Sequence, residues 1–334
     1  QAILGLERLA ARGLHALDKP IGLPVSERAM AASGTPAQVE VMVDVEQAQL
    51  APRPLGWRNV ANLAAYVVNS IITYTSLTGI YGPTNTELSK KYQTLVTPAG
   101  WAFAIWGPIF IAEGAWVVAQ LLKPYRAHPA VEAGTPWWLA ACLFQVCWTF
   151  AFAQEVIWLS LVMMLGILGS LLGMAIQADQ TLLLSLPEYA LLRAPFALHL
   201  GWILCASAVN TNVLADYERA PPGTLLGMAV TSLAAILAVV TAFTLATKSA
   251  EPVVGLVAAW ACTAVASELG DPAKLLDPAR WNYYEWNATT IEGIRTAATA
   301  VAAIAGVMAA VAAARLAWAG RDAFAKCGVP SQSE

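Results

Sequence analysis

The chain carries three histidines, His15, His128 and His199, and only His199 falls well inside a long apolar run. An imidazole in a membrane helix either ligates the metal of a haem or chlorophyll or hydrogen-bonds a neighbouring helix. Glu113, Gln145, Asn69 and Asn210 also fall inside apolar runs. Each is costly in lipid and so needs a reason, and Glu113 could be protonated, paired with His199 or facing a polar cavity. Glu113 and His199 alone make too short a series of ionisable groups for a proton relay. Glu292 and Arg295, three residues apart, suit a local ion pair. Of the five cysteines, Cys142, Cys147, Cys205 and Cys262 lie in apolar runs without CxxC spacing, as small buried hydrophobes do. No phosphate loop, nucleophile elbow, zinc-binding His pair or dinucleotide fingerprint occurs. Neither catalytic residues nor a metal centre are therefore expected, with His199 kept as a candidate axial ligand to a tetrapyrrole metal.

These polar groups sit on elements that must cross a bilayer. Charged residues make up 12% of the 334 residues and hydrophobic ones 58%, against roughly 25% charged in soluble domains. Mean hydropathy is +0.57. The apolar blocks approach or exceed the ~20 residues a spanning helix needs and lack the alternation of barrel strands. The fold expected is an all-α integral membrane bundle of about eight transmembrane helices. With a net charge of −3 and no basic tract, nucleic-acid binding has no electrostatic support.

Spans are expected over about 59–81, 101–122, 137–153, 157–178, 194–214, 224–246, 253–266 and 289–318, the seventh being short enough to re-enter instead of crossing. Residues 1–58 read as a soluble arm. Ile3, Leu6, Leu9, Ala10, Leu14 and Leu17, with Arg8, Arg12 and Lys19 between them, suggest an amphipathic helix. Gln154 and Glu155 must form a very tight turn between spans three and four. Lys and Arg are somewhat more frequent on the side of the termini, which weakly sets the orientation. Gly166, Gly169, Ser170 and Gly173, and likewise Ala302, Gly306 and Ala310, offer faces for close helix approach, either inside the bundle or with a partner. The chain begins at Gln1, as it would after removal of a targeting segment or if the sequence starts partway along.

One stretch, Thr97-Pro98-Ala99-Gly100-Trp101-Ala102-Phe103-Ala104-Ile105-Trp106-Gly107-Pro108, resembles the second-helix signature of the tryptophan-rich sensory protein family, also called the translocator protein or TspO family. Phe144-Gln145-Val146-Cys147-Trp148-Thr149-Phe150 is similar to its third helix. Pro195-Phe196-Ala197-Leu198-His199-Leu200-Gly201-Trp202, with Asn210 further on, is similar to its fifth. The resemblance covers about 59–217 and implies a five-helix core with a pocket near the loop between helices one and two. It also implies ligands such as protoporphyrin or sterols. Carried onto this chain, the pocket candidates are Trp101, Phe103, Trp106, Trp148, His199, Trp202 and Asn210. Flat aromatic faces suit a macrocycle, porphyrin or chlorophyll, or a lipid. A sterol-type pattern fits Leu214, Tyr217 and Arg219, and also Leu186, Tyr189 and Arg193.

Residues 218–334 then add two or three spans and a short tail beyond that core. Two readings follow. One is a membrane protein that binds, senses or moves a tetrapyrrole or another flat lipophile. The other is a non-catalytic accessory subunit of a photosynthetic or respiratory assembly, holding partner subunits through the arm and the carboxy-terminal helices. The Ala-rich composition fits an organelle membrane, plastid thylakoid or mitochondrial.

Overall fold

A computed structural model of the chain describes residues 54–180, 186–248, 250–271 and 286–327, with side chains to 318. The expected amphipathic helix and nearly all of the amino-terminal arm lie outside the described residues, as does most of the loop at 270–288. Among the described residues every regular element is a helix: α1 (Trp57–Ser76), α2 (Asn85–Lys91), a 3₁₀ segment (Gly100–Ile105) running into α3 (Trp106–Ala119), α4 (Pro129–Ala153), α5 (Ile157–Gln180), α6 (Leu186–Leu192), α7 (Ala194–Tyr217), α8 (Pro222–Leu245), α9 (Pro252–Glu268) and α10 (Ala288–Cys327). Six are long and apolar enough to cross a membrane: the 3₁₀–α3 unit, α4, α5, α7, α8 and α10. α1, with 20 residues, is long enough but more polar. α9, with 17, is shorter than the others.

Local sequence explains where the helices begin and end. α4, α7, α8 and α9 each carry proline in the first turn, where its missing N–H costs nothing. The α4–α5 and α7–α8 hairpins turn on Glu155 and Arg219, both at φ 57°. Each turn is closed by a bond from the next N–H back five residues, Val156 to Ala151 and Ala220 to Ala215, both 2.9 Å. The predicted tight turn at Gln154–Glu155 is thus a left-handed helix cap.

α7 is the hub. It packs against α3 and α5 on one side and α8 and α9 on the other. α4 lies on α5 and α1, and α10 lies on α9 and α8. Gly166 and Gly173 let α5 approach α4, because a Cβ at either would meet the rings of Phe144 and Trp137 at 2.6 Å. The expected face on α10 is one residue out of register. The buried seam is Ala298, Val301, Ala305, Ala309 and Ala312, with Ala305 and Ala309 resting on Gly255 of α9.

α1 is turned inside out. Asn59, Asn62, Asn69, Thr73 and Ser76 are buried, at spacings of three, four and seven, and Val60, Leu63, Val67, Val68 and Ile71 are exposed. In a bilayer the apolar face looks out and the polar face must find partners within the protein. Asn59 Nδ2 donates to the backbone carbonyl of Gln120 at 3.0 Å, to Gln120 Oε1 at 2.7 Å and to the carbonyl of Arg126 at 3.1 Å. Asn62 Nδ2 donates to Thr135 Oγ1 at 3.0 Å, and Tyr66 Oη to the carbonyl of Phe110 at 2.9 Å. This ladder fixes α1 to α3 and α4, and it explains the low hydropathy of α1.

Candidate functional site

Between α3, α4, α5, α7, α8 and α9 lies a cavity whose enclosed and open space totals about 820 Å³. Little of it is wide enough for a water molecule. Its walls are mostly aromatic and aliphatic: Phe103 and Trp106 from the second span, Trp148 and Phe152 from α4, and Trp202 from α7. The rings meet edge to face, Phe103 on Trp202 at 5.6 Å and Trp106 on Trp202 at 6.3 Å between centroids, and Trp148 stacks on Phe152 at 5.2 Å. The 3₁₀ segment opens the second span more tightly than an α-helix and carries Phe103, leaving Trp106 to start α3.

Asn210 is the deep polar group. Its Oδ1 accepts from Trp148 Nε1 and from Ser160 Oγ, each at 3.4 Å, and its Nδ2 donates to the carbonyl of Ala206 at 3.1 Å. Its bonds hold the wall together. No charged side chain occurs among the cavity's described lining residues.

Phe103, Trp106, Trp148, Trp202 and Asn210 are thus brought together, and two of the seven pocket candidates stand apart. Trp101 packs edge-on against Trp260 of α9, 4.7 Å between centroids, and is 44% exposed. His199 lies behind Trp106, ring centroids 5.7 Å apart, and does not line the cavity. Its Nδ1 is 2.7 Å from Glu113 Oε1, and both side chains are fully buried. His199 Nε2 and Glu113 Oε2 have no hydrogen-bond partner. Gln145 is buried on α4, with Oε1 likewise unpartnered.

The two sterol-type matches lie elsewhere. Leu214 is half-buried, whereas Tyr217 and Arg219 are exposed at the end of α7, with Tyr217 edge-on to Tyr92 at 6.0 Å. Tyr189 and Arg193 belong to a charge cluster at the opposite end of α7. There Tyr189 Oη donates to Glu251 Oε1 at 2.6 Å and Arg193 Nε to Glu251 Oε2 at 2.9 Å. Burial and the Glu251 carboxylate raise the Tyr189 phenol well above its usual range.

Sequence reasoning took residues 82–98 as a plain loop, yet they wall one end of the cavity. Thr84 caps α2 in a reciprocal box, accepting from Glu87 N at 3.3 Å while Glu87 Oε2 accepts from Thr84 N at 2.8 Å. Asn85, Ser89, Tyr92, Val96, Thr97 and Pro98 then line the cavity. Four ties hold the segment down. Lys91 and Tyr92 both donate to Glu155 in the α4–α5 turn. Gln93 Nε2 donates to Glu268 Oε1 at 2.8 Å, and Ala99 N to the carbonyl of Ala264 at 3.0 Å. Burial pushes the Glu155 carboxyl up, but the bonds from Lys91 and Tyr92 outweigh it and leave the group below the usual carboxylate range. Burial and the same Glu155 carboxylate raise the Tyr92 phenol. The capping box Thr84-Asn85-Thr86-Glu87 was the readable signal for this helix. The contributions of Leu233 and Ile236 from α8, and of Ala261, Cys262 and Val265 from α9, had no such signal.

Compared with known proteins, residues 59–312 match a family model described as TSPO-like protein. No curated protein and no solved structure matches the chain.

Proposed function

The chain belongs to the TSPO-like family, and from that premise we propose that its aromatic cavity holds a flat lipophilic ligand of the tetrapyrrole type inside the membrane. The observation carrying this reading is the convergence of Phe103, Trp106, Trp148, Phe152 and Trp202 on one cavity, an apolar, aromatic lining of the kind small-molecule sites have. Such faces stack on a planar ring and exclude water from it. The ring's polar substituents would rest at the end formed by Asn85, Ser89 and Tyr92, because the interior offers no charge to receive them. Because little of the space admits even a water molecule, the reading requires the walls to part for the ligand, and the 84–98 segment is the element proposed to move. The role proposed for the cavity is binding, sensing or passage of the ligand. The Ala-rich composition supports an organelle membrane.

His199 acts on the site through Trp106, as a positioning residue held by Glu113. The test is titration of the purified full chain in nanodiscs with protoporphyrin IX, following tryptophan quenching. Saturable quenching is expected, weakened about 2- to 10-fold by Trp106→Ala or Trp202→Ala, the loss of one aromatic pair. His199→Phe should weaken metal-free and zinc protoporphyrin equally, because the imidazole does not reach the ring centre. Quenching that is linear in porphyrin, or identical in the Trp variants, refutes the reading.

A further inference from the structure

A second recess, which shares the wall residues Ala208 and Ile236 with the aromatic cavity, lies between α5, α7 and α8. It is an open groove with about 490 Å³ of water-accessible space. Its floor carries Ser207 and Ser232, near the midpoints of the 24-residue helices α7 and α8. Ser207 is 5% exposed, and its Oγ has no hydrogen-bond partner. Ser232 Oγ accepts from Asn212 Nδ2 at 2.8 Å and so keeps its own hydrogen to donate. The neighbouring threonines are satisfied within their helices, Thr211 on the carbonyl of Ser207 and Thr231 on that of Gly227. Gly227 borders the same groove, and a Cβ there would meet nothing within 4 Å. Its smallness is therefore not required by internal packing, and it leaves the groove open.

Ser207 Oγ, which has no partner, and Ser232 Oγ, with its hydrogen free to donate, thus belong to residues lining one groove near mid-membrane, where the bilayer core supplies no water to accept from them. Depth selects the occupant. The hydrocarbon core is ~30 Å thick, so the ester and headgroup oxygens of a phospholipid stay ~15 Å away, and only its acyl chain could enter. An acyl chain offers no acceptor. We infer that the α5–α7–α8 groove binds an uncharged, lipid-soluble carbonyl compound of the ketone or quinone class, with its oxygen accepting from Ser207 and Ser232. A carbonyl oxygen has two lone pairs and can accept from either serine or from both.

The test is photolabelling of the full chain in phosphatidylcholine nanodiscs. One probe is a benzoquinone with a diazirine-bearing isoprenoid tail, and the other is the same tail ending in hydrocarbon. Labelled peptides are mapped by mass spectrometry. The quinone probe should label α5, α7 and α8 peptides at least about fivefold more than the hydrocarbon probe. Ser207→Ala, which removes a group with no partner in the fold, should abolish that preference. Gly227→Leu should block both probes, and both variants should keep porphyrin quenching at the aromatic cavity. Equal labelling by the two probes, or a preference untouched by Ser207→Ala, overturns the inference. Efficient disulfide cross-linking between copies of a Gly227→Cys variant, with wild-type labelling lost as protein per disc rises, also overturns it and makes the groove an interface between copies.

Discussion

Replacing Asn59 by Ala tests whether α1 is held by its polar face. The side chain gives three hydrogen-bond contacts to α3 and the segment after it, and its Oδ1 accepts from Gly56 N at 3.0 Å. An interhelical bond in a membrane protein contributes ~0.6 kcal/mol on average and ~1.7 at most. The three contacts share the two hydrogens of one amide nitrogen, so they amount to two bonds, about 1 kcal/mol with a ceiling of ~3.5, and losing the helix-start contact adds ~0.5–1. Asn59→Ala should destabilise the protein by about 2 kcal/mol. The neighbouring Val60→Ala, on a side chain 58% exposed, should cost less than ~0.5. Pairing Asn59→Ala with Gln120→Ala isolates the side-chain bond between them, which should appear as ~0.5–1.5 kcal/mol of non-additivity. Reversible unfolding in mixed micelles, read by tryptophan fluorescence, measures all of these. If Asn59→Ala costs no more than Val60→Ala, or if the double variant is strictly additive, α1 is held by apolar packing instead and the ladder argument fails.

Other outcomes follow from the same geometry. Gly82 sits at φ 136°, and a Cβ there would fall 2.4 Å from the Ala153 carbonyl. Gly82→Ala should therefore detach the start of the 84–98 segment and raise both association and dissociation rates of porphyrin in stopped flow. Because the folded state lowers the Glu155 carboxyl below its ordinary 4.5, its contribution is complete at neutral pH and is lost as pH falls through the lowered value. Porphyrin exchange should accordingly be unchanged at neutral pH and accelerate as pH falls below 4.5 through the lowered value, and Glu155→Gln should flatten that profile. Gly201 and Gly227 make a matched pair. A Cβ at Gly201 would meet Val257 at 2.8 Å and the Val254 backbone at 3.3 Å, so Gly201→Ala should cost ~1–3 kcal/mol in micelle unfolding. Gly227→Ala should be neutral or stabilising by up to ~1.

Much of the architecture was legible because the bilayer imposes a strong constraint on sequence. Runs such as 157–178 and 224–246 allow few structures besides a spanning helix, and α5 and α8 coincide with them to within two residues. The family was readable for a different reason: the aromatic clusters around Trp101, Trp148 and Trp202 have fixed order and spacing. Pairing was legible only in part. The local pair Glu292–Arg295 forms as expected, at 3.1 Å. Pairing with His199 was one of three states open to Glu113, but nothing in its local surroundings selects that partner, 86 positions away, or names Glu155 as the anchor of Lys91. His199 was open to two readings, an axial ligand or a hydrogen bond to a neighbouring helix; the structure has the second, with Glu113, and its rotation on α7 puts Trp106 between it and the cavity. The stripe at Asn59, Asn62, Asn69 and Thr73 was visible in the sequence. Its meaning required knowing that a helix in lipid buries what a soluble helix exposes. Seam registers among alanines, as on α10, are nearly degenerate in composition, so a one-residue offset has no strong signal.

The walls that α8 and α9 add to the cavity bear on time as well as space. Leu233, Ile236, Ala261, Cys262 and Val265 close flanks that would otherwise open onto acyl chains. Under the proposed binding role, a guest would not leak sideways into the bilayer at the pace of lateral diffusion. Its residence would be tied to the breaking of a few specific contacts around Glu155 and Glu268. Occupancy would then outlast fluctuations in the surrounding pool, and the protein would report an average over its own opening interval instead of the instantaneous abundance of a ligand.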